Sequence, residues 1–325
     1  MDGHDREVFA RSLRHAVETH SGEPLDAALL ELGWPEALAG HTRDAVSLLF
    51  ELAGSAHASS SALEQVLARS LGPEVPPAAG FVLPPFGRRD PPGRLDGGHL
   101  LVGGLGTASL PGRGTAVVVA PAVATEPGGE EVAFLVPTAD LALRPVRGMD
   151  PELGLVEVHG TVATEALAPE VVAPSWPAAV AVAQLAVGHE LVGAARTMLE
   201  LARRHALERV QFGQPIGAFQ AVRHRLAETL VAIESADAVL GAAWEDGSPT
   251  TAAVAKALAG RGARTAARHC QQVLAGIGFT TEHEFHRYAR RALVLDELLG
   301  SSRSLTRELG AELLAARRLP DFAPL

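Results

Sequence analysis

Residues Arg209 to Gly217 combine an arginine, an aromatic ring and two glycines between two amphipathic helical runs. An arginine fork grips a phosphate through parallel hydrogen bonds. Phe212 offers a π-face, and Gly213 lets a backbone approach without a Cβ in the way. Together these residue types suit a diphosphate-bearing cofactor held in a cleft. The same stretch also reads as a plain αα-hairpin whose Phe212 plugs a bundle core and whose Arg209 is solvated. The residues alone leave both readings open.

Long helices must position this turn. Val180, Leu185, Leu191 and Leu199 recur at helical spacing before it, and Phe219, Val222, Leu226, Leu230, Ile233 and Leu240 after it. A third helix opens with Ser248 as N-cap and Pro249 at the first helical position and runs to about Leu274. A fourth is expected from about Glu284 to Arg317. Four such helices make a bundle, and the alanine-rich face of Ala252, Ala255 and Ala259 permits close approach.

Upstream the period differs. Val8, Leu13, Val17, Leu25, Leu29, Leu32, Val46, Leu49 and Leu52 predict three or four short helices over residues 4–71. Prolines from Pro73 to Pro92 break any helix and mark a linker or domain boundary. Short β-branched runs follow, HLLVGG, TAVVVAPAV, EVAFLVP and GLVEVHGTVA, as a small antiparallel β-domain is written. The reading is α+β and multidomain: an N-terminal helical domain over 1–78, a small middle β-domain over 79–172 and a C-terminal four-helix bundle over 173–325. Neither an internal repeat nor a low-complexity tail stands out.

Composition bounds the function. With 28 basic against 38 acidic residues the net charge is -10, which repels nucleic-acid phosphates. The 47% apolar and 20% charged content is that of a globular protein. Cys270 is the single cysteine, so an internal disulfide is ruled out and a reducing cytoplasm fits. Cys270 lies in a helical pattern and reads as core. The charged N-terminus lacks the apolar stretch of a secretory signal. The apolar run Ala178 to Gly188 is far short of the roughly twenty residues a membrane span needs, so no membrane partner is expected.

Two strings carry a resemblance. ERVQFGQPIGAFQAVRHRLAE resembles the helix-turn-helix of the acyl-CoA dehydrogenase family, and QVLAGIGFTTEHEFH, from Gln272 to His286, resembles that family's glycine-rich segment late in the bundle. The match is good over most of residues 176–300 and weak over the first 170. The resemblance implies the order helices, β-domain, bundle. It also implies an FAD shared between subunits, with one subunit's bundle gripping the ADP half. On it, Arg209 matches the pyrophosphate-binding arginine, and Gln211, Phe212, Gln220, Gln272 and Gly276 complete the cofactor-binding set. Ala275 stands where the family has a first glycine.

Other family features are missing by the same comparison. The stretches that cradle the flavin ring are replaced by LPPFGRRDPPGRLDGG and by TASL, with Ala108 and Leu110 at the contact positions. Thr125 to Gly128 spell TEPG, but after the second landmark, and read as a solvated hairpin loop. The two positions that carry the family's catalytic glutamate hold Leu299 and Ala183, and neither can take a proton. Glu297 reads as a surface carboxylate, and Glu190 is the candidate for a displaced base. His283 and His286 are spaced i, i+3 with no second pair, so no metal site is expected.

The resemblance therefore implies the short, non-catalytic β-type subunit of an α2β2 acyl-CoA dehydrogenase. An acyl-CoA dehydrogenase-like α subunit would supply the catalytic glutamate and most of the acyl-CoA site, and an electron-transfer flavoprotein would take the electrons. Such pairs resemble those that actinobacteria use on the CoA thioesters of steroid side chains. Two alternatives stand beside it: a self-sufficient homotetramer with a displaced base, and an inert assembly scaffold.

Overall fold

The computed structural model describes the chain apart from residues 73–74, 77, 123–130, 168–170, 174 and 318–325; for residues 171–173 it describes the backbone. The TEPG string and the first and third prolines of the proline-rich stretch lie outside the described residues. Helices α1 (Gly3–Thr19), α2 (Glu23–Glu31), α3 (Trp34–Gly40), α4 (Thr42–Ala56) and α5 (Ala62–Leu71) come first. The reading of three or four helices is thus short. Gly33, at φ 73°, ends one helical segment, and Pro35 in the first turn of the next starts α3.

Strands β1 (Gly80–Phe81), β2 (Gly93–Asp96), β3 (His99–Gly106), β4 (Thr115–Pro121), β5 (Glu131–Pro137), β6 (Ala142–Pro145), β7 (Val156–Ala163) and β8 (Val171–Ala173) follow. They form two four-stranded sheets, ordered β1-β4-β5-β8 and β2-β3-β7-β6. All pairs are antiparallel except β1 with β4, which corrects the wholly antiparallel expectation. Between those two strands the chain visits the other sheet as β2 and β3, and a crossover of that length returns β4 in the same direction. The run TAVVVA is continuous because both its faces are buried. Ala116, Val118 and Ala120 enter the core between the sheets with Phe134 and Val158, whereas Val117 and Val119 join the helical core.

The proline-rich stretch is more than a linker. Leu83 bridges Leu105, the Gly87 amide donates to the Glu297 carbonyl at 2.7 Å, and Trp176 Nε1 donates to the Arg89 carbonyl at 2.8 Å. Prolines supply no amide donors, and the backbone groups that this segment does offer are met by strands β3 and β4 as well as by the helices it crosses.

Helices α6 (Trp176–Glu208), α7 (Gln220–Asp246), α8 (Pro249–Leu274), α9 (Phe285–Glu297) and α10 (Ser302–Ala316) complete the fold. The Ser248 hydroxyl caps α8 by accepting from the Thr251 amide, and Pro249 follows it as read. The expected fourth helix is broken, because Leu299 at φ 56° and Gly300 at φ 95° turn the chain left-handed. The break is tied down from inside. Buried Lys256 donates to the Asp296 and Gly300 carbonyls, and the Asp296 carboxylate accepts from the Ser302 amide and hydroxyl.

Helix α6, 33 residues and about 50 Å long at 1.5 Å per residue, packs against α4, α5, α7, α8 and α9. It is long and apolar enough to cross a membrane, yet 89% of its most apolar window is buried inside the protein, as in a core helix. At α4 the approach is backbone to backbone. A Cβ on Gly54 would overlap the Glu190 carbonyl, and one on Gly193 would overlap the Glu51 carbonyl. Ala-rich α8 lies against α6 on another side, with Ala252, Ala255 and Ala259 all buried.

Candidate functional site

Helix α6 ends at Arg209, and the chain then makes a tight hairpin of β9 (Val210–Gln211) and β10 (Gln214–Pro215). Its two corner residues, Phe212 and Gly213, both have positive φ, 51° and 79°. That is the conformation which matches the twist of a two-residue hairpin. Glycine adopts it freely, whereas Phe212 bears a left-handed cost. The Ile216 amide donates to the Arg209 carbonyl at 2.8 Å and closes the loop. Gly217 lies against the Ala206 carbonyl, where a Cβ would sit at 3.0 Å.

The hairpin therefore holds its side chains outward. Phe212 is 91% exposed, its ring edge-to-face with Phe219 at 6.1 Å. The Phe212 plug of the αα-hairpin reading is excluded, since the ring never enters the core. Arg209 and Gln211 are exposed, and among the described residues the Arg209 guanidinium has no hydrogen bond or ion pair. Gln220 opens α7, whose N-cap, Phe219, supplies no side-chain acceptor; the Val222 amide turns back to the Phe219 carbonyl, and the Gln220 and Ala221 amides, without a partner among the described residues, remain available for an anion. The Gln220 amide itself approaches His224 Nε2 at 3.4 Å.

The second set sits at the C-terminus of α8. Gln272 and Gly276 line a surface groove of about 670 Å³ with Arg264, Arg268, Ala275 and Phe279. Nothing lies within 4 Å of where a Gly276 Cβ would be, so a ligand can reach its backbone. Ala275 has φ 52° and ψ -132°, a glycine conformation held by an alanine. Phe279 is 76% exposed beside it. Gln272 and Gly276 share this groove; Arg209, Gln211 and Phe212 share the hairpin and do not line it. An arginine, open glycine backbone, an uncapped helix start and exposed rings suit a dinucleotide diphosphate on chemical grounds.

Around Thr107 to Leu110 the chain is packed against itself. The Thr107 amide donates to Glu64 Oε1 at 2.8 Å, the Thr107 and Ser109 hydroxyls lie 3.0 Å apart, and Leu110 is fully buried in the β core. Ala108 abuts Gly154. Leu299 is buried and its carbonyl accepts from Gln184 Nε2 at 2.8 Å; Ala183 is fully buried. Glu297, on the rim of the protein, pairs with Arg264 at 3.2 Å.

Glu190 is buried and 3.8 Å from Arg291, whose own guanidinium bonds Asp150, the Ala58 carbonyl and Ser59 Oγ. Burial pushes the Glu190 carboxyl up to about 7, with Arg291 pulling the other way. The cavity it lines, closed by Phe50, Leu63, Thr107 and Leu298, has a volume of about 30 Å³. Such a space holds a water molecule and no acyl thioester.

His283 and His286 cap the start of α9: Nδ1 of His283 accepts from the Phe285 amide, and His286 Nδ1 lies 2.7 Å from the His283 carbonyl. Glu51, His189 and Asp237 bring ligand atoms within 4.8 Å of one another, a grouping the sequence did not suggest. Arg196 already bonds both carboxylates, and Trp244 Nε1 donates to His189 Nε2. Burial lowers the His189 imidazole to about 4, which leaves it neutral. Cys270 is fully buried, and burial pushes its thiol up to about 12, so it is inert core.

Sequence reasoning missed the buried ionic groups Glu64, Lys256, Arg291 and Asp296, which hold these parts together. Lys256, alone among alanines in AVAKALAG, carried a legible signal.

Residues 178–314 match the family described as acyl-CoA dehydrogenase, C-terminal domain. Over 169 residues the chain is 38% identical to acyl-CoA dehydrogenase IpdE2 of Mycobacterium tuberculosis, a match covering 52% of this chain and 51% of that one. The chain thus matches about half the length of this curated relative. Two solved structures share the fold. A variant of the Tcur3481-Tcur3483 steroid ACAD superposes with a TM-score of 0.73 at 24% identity, covering 96% of each chain. The ChsE4-ChsE5 complex from Mycobacterium tuberculosis gives a TM-score of 0.73 at 21% identity, covering 96% of this chain and 98% of that chain.

Proposed function

We propose, from the match of residues 178–314 to the acyl-CoA dehydrogenase C-terminal domain family, that this chain is the β-type subunit of an FAD-dependent α2β2 acyl-CoA dehydrogenase. It contributes the ADP-binding half of a shared FAD site, and an acyl-CoA dehydrogenase-like α subunit supplies the flavin cradle, the acyl-CoA pocket and the catalytic glutamate. One observation carries this reading. The hairpin holds Phe212 91% exposed, with only the edge of Phe219 beside its ring, and leaves the Arg209 guanidinium without a hydrogen bond or ion pair among the described residues.

In this reading Arg209 and the first-turn amides of α7 grip the pyrophosphate, Phe212 lies along the adenine, and Gln272 with the bare backbone of Gly276 holds the diphosphate from α8. FAD supplies the hydride acceptor of the family's α,β-dehydrogenation. This chain's residues bind and orient; none of them moves the substrate proton. Leu299 and Ala183 are incapable of it, and Glu190 faces a space of about 30 Å³. The self-sufficient alternative, with Glu190 as base, is disfavoured by that volume. At the positions that the resemblance gives to the flavin-contacting stretch, Thr107 bonds Glu64 and Leu110 is buried in the β core, which supports a cradle supplied by the partner.

The substrate is an acyl-CoA thioester. A steroid side-chain thioester is the class to try first, since one structure of the same fold is described as a steroid ACAD. An electron-transfer flavoprotein is the expected electron acceptor.

The test is flavin absorbance per chain, for the protein alone and co-expressed with an α subunit. A colourless chain alone and one FAD per αβ pair are expected. One FAD per chain when alone would sink the proposal.

A further inference from the structure

Gln272 and Gly276, which hold the diphosphate from α8 in the proposed site, are both uncharged. They also stand at the unfavourable end of a helix for an anion. Helix α8 runs Pro249–Leu274 with no basic residue in its last turn, so its C-terminus presents the negative end of the helix dipole to the groove. A diphosphate there needs a cation from elsewhere on the groove wall.

Arg264 and Arg268 line that groove. The Arg264 guanidinium is already engaged: its Nε donates to the Asp296 carboxylate at 2.6 Å and a terminal nitrogen to Glu297 at 3.2 Å. Arg268 is exposed and, among the described residues, has no hydrogen bond or ion pair. It precedes Gln272 by one turn, at i, i+4 on the same face of α8. It lies nearly two turns before Leu274, outside the last turn in which a basic side chain serves the helix by offsetting its dipole. We infer that Arg268 supplies the groove's positive charge to the diphosphate, through a planar fork that a phosphate accepts in two hydrogen bonds. The inference rests on the shared-FAD reading for the identity of the whole cofactor. The groove's own chemistry asks only for a nucleoside diphosphate.

The test requires neither the α subunit nor flavin. ADP and adenosine are titrated into the full chain by calorimetry, up to millimolar ligand, at low and at physiological salt. Saturable ADP binding is expected, with adenosine weaker by about tenfold or more. Arg268→Ala weakens ADP about tenfold, leaves adenosine unchanged and flattens the salt dependence, because one screened charge is gone. Arg268→Lys, a charge without the fork, binds ADP with an affinity between the two. In the αβ complex, Arg268→Ala speeds flavin loss on dilution. Unsaturable ADP uptake, equal affinities for ADP and adenosine, a lysine no better than alanine, or an alanine variant with the parent's ADP affinity and salt slope would each overturn the inference. Failure of the shared-FAD reading alone looks different: the αβ pair purifies without flavin, and ADP binding to the chain still depends on Arg268.

Discussion

The side-chain amide of Gln184 donates to the main-chain carbonyl of Leu299 across 2.8 Å, and both residues are buried. That bond joins α6 to the left-handed corner between α9 and α10. Gln184→Leu leaves the Leu299 carbonyl buried and unpaired, at a cost of about 1–3 kcal/mol. Urea unfolding should report that loss with an unchanged m-value, and a stability within 0.3 kcal/mol of the parent would disprove the role given to the bond.

Arg209→Ala removes a charge-assisted contact to the cofactor worth about 1.5–3 kcal/mol. FAD affinity of the αβ complex is expected to fall by about one to two orders of magnitude. The side chain is exposed and, among the described residues, has no hydrogen bond or ion pair, so the thermal midpoint of the isolated subunit should not move. An unaltered affinity in the complex would leave the assembly scaffold as the better account.

Ala275→Gly relieves the left-handed conformation at the end of α8. A gain of about 1 kcal/mol is expected, readable as a raised thermal midpoint. Flavin retention in the complex should be equal or better, since the methyl beside Gly276 is gone. A lowered midpoint would mean that neighbours compensate the strain.

Glu190 gives the chain a pH signature. Its folded value, about 7, lies above the ordinary carboxylate value of 4.5. Between these the folded state binds more protons than the unfolded, so its contribution to stability is complete below about 4.5 and is lost as pH rises towards 7. Against Glu190→Gln, which cannot titrate, the parent should lose stability across that window by at most about 1.4 kcal/mol per pH unit. Chemical unfolding of both proteins from pH 4.5 to 8 checks this. A stability difference that stays flat over the window would place the carboxyl in contact with water. His189, lowered to about 4, has the opposite slope between 4 and 6.5 and is common to both proteins.

Much of this was written locally in the chain. The α8 cap is spelled by adjacent Ser248 and Pro249, and the double-faced strand β4 by an uninterrupted apolar run. The hairpin residues share one short string, so their types could be weighed together. What escaped the sequence depends on distant partners. Glu64 reads as an ordinary helical glutamate until Thr107 arrives from β3's end. The corner at Leu299 is signalled only by Gly300, and its cause, Lys256, sits one helix earlier. The outward aim of Phe212 follows from two positive φ angles, which a phenylalanine at that position does not advertise.

Helix α6 also has a consequence for how the protein comes apart. It carries α4 and α5 on one side and α7, α8 and α9 on others, so no weakly packed plane separates the first helices from the last. Gly54 and Gly193 bring α4 to within backbone contact of it, which leaves no solvent layer to open first. The two helical groups then form one cooperative unit rather than two that melt in turn. The slowest-exchanging amides of α4 and α8, distant in sequence, are therefore expected to share a single opening event, readable by native-state hydrogen exchange.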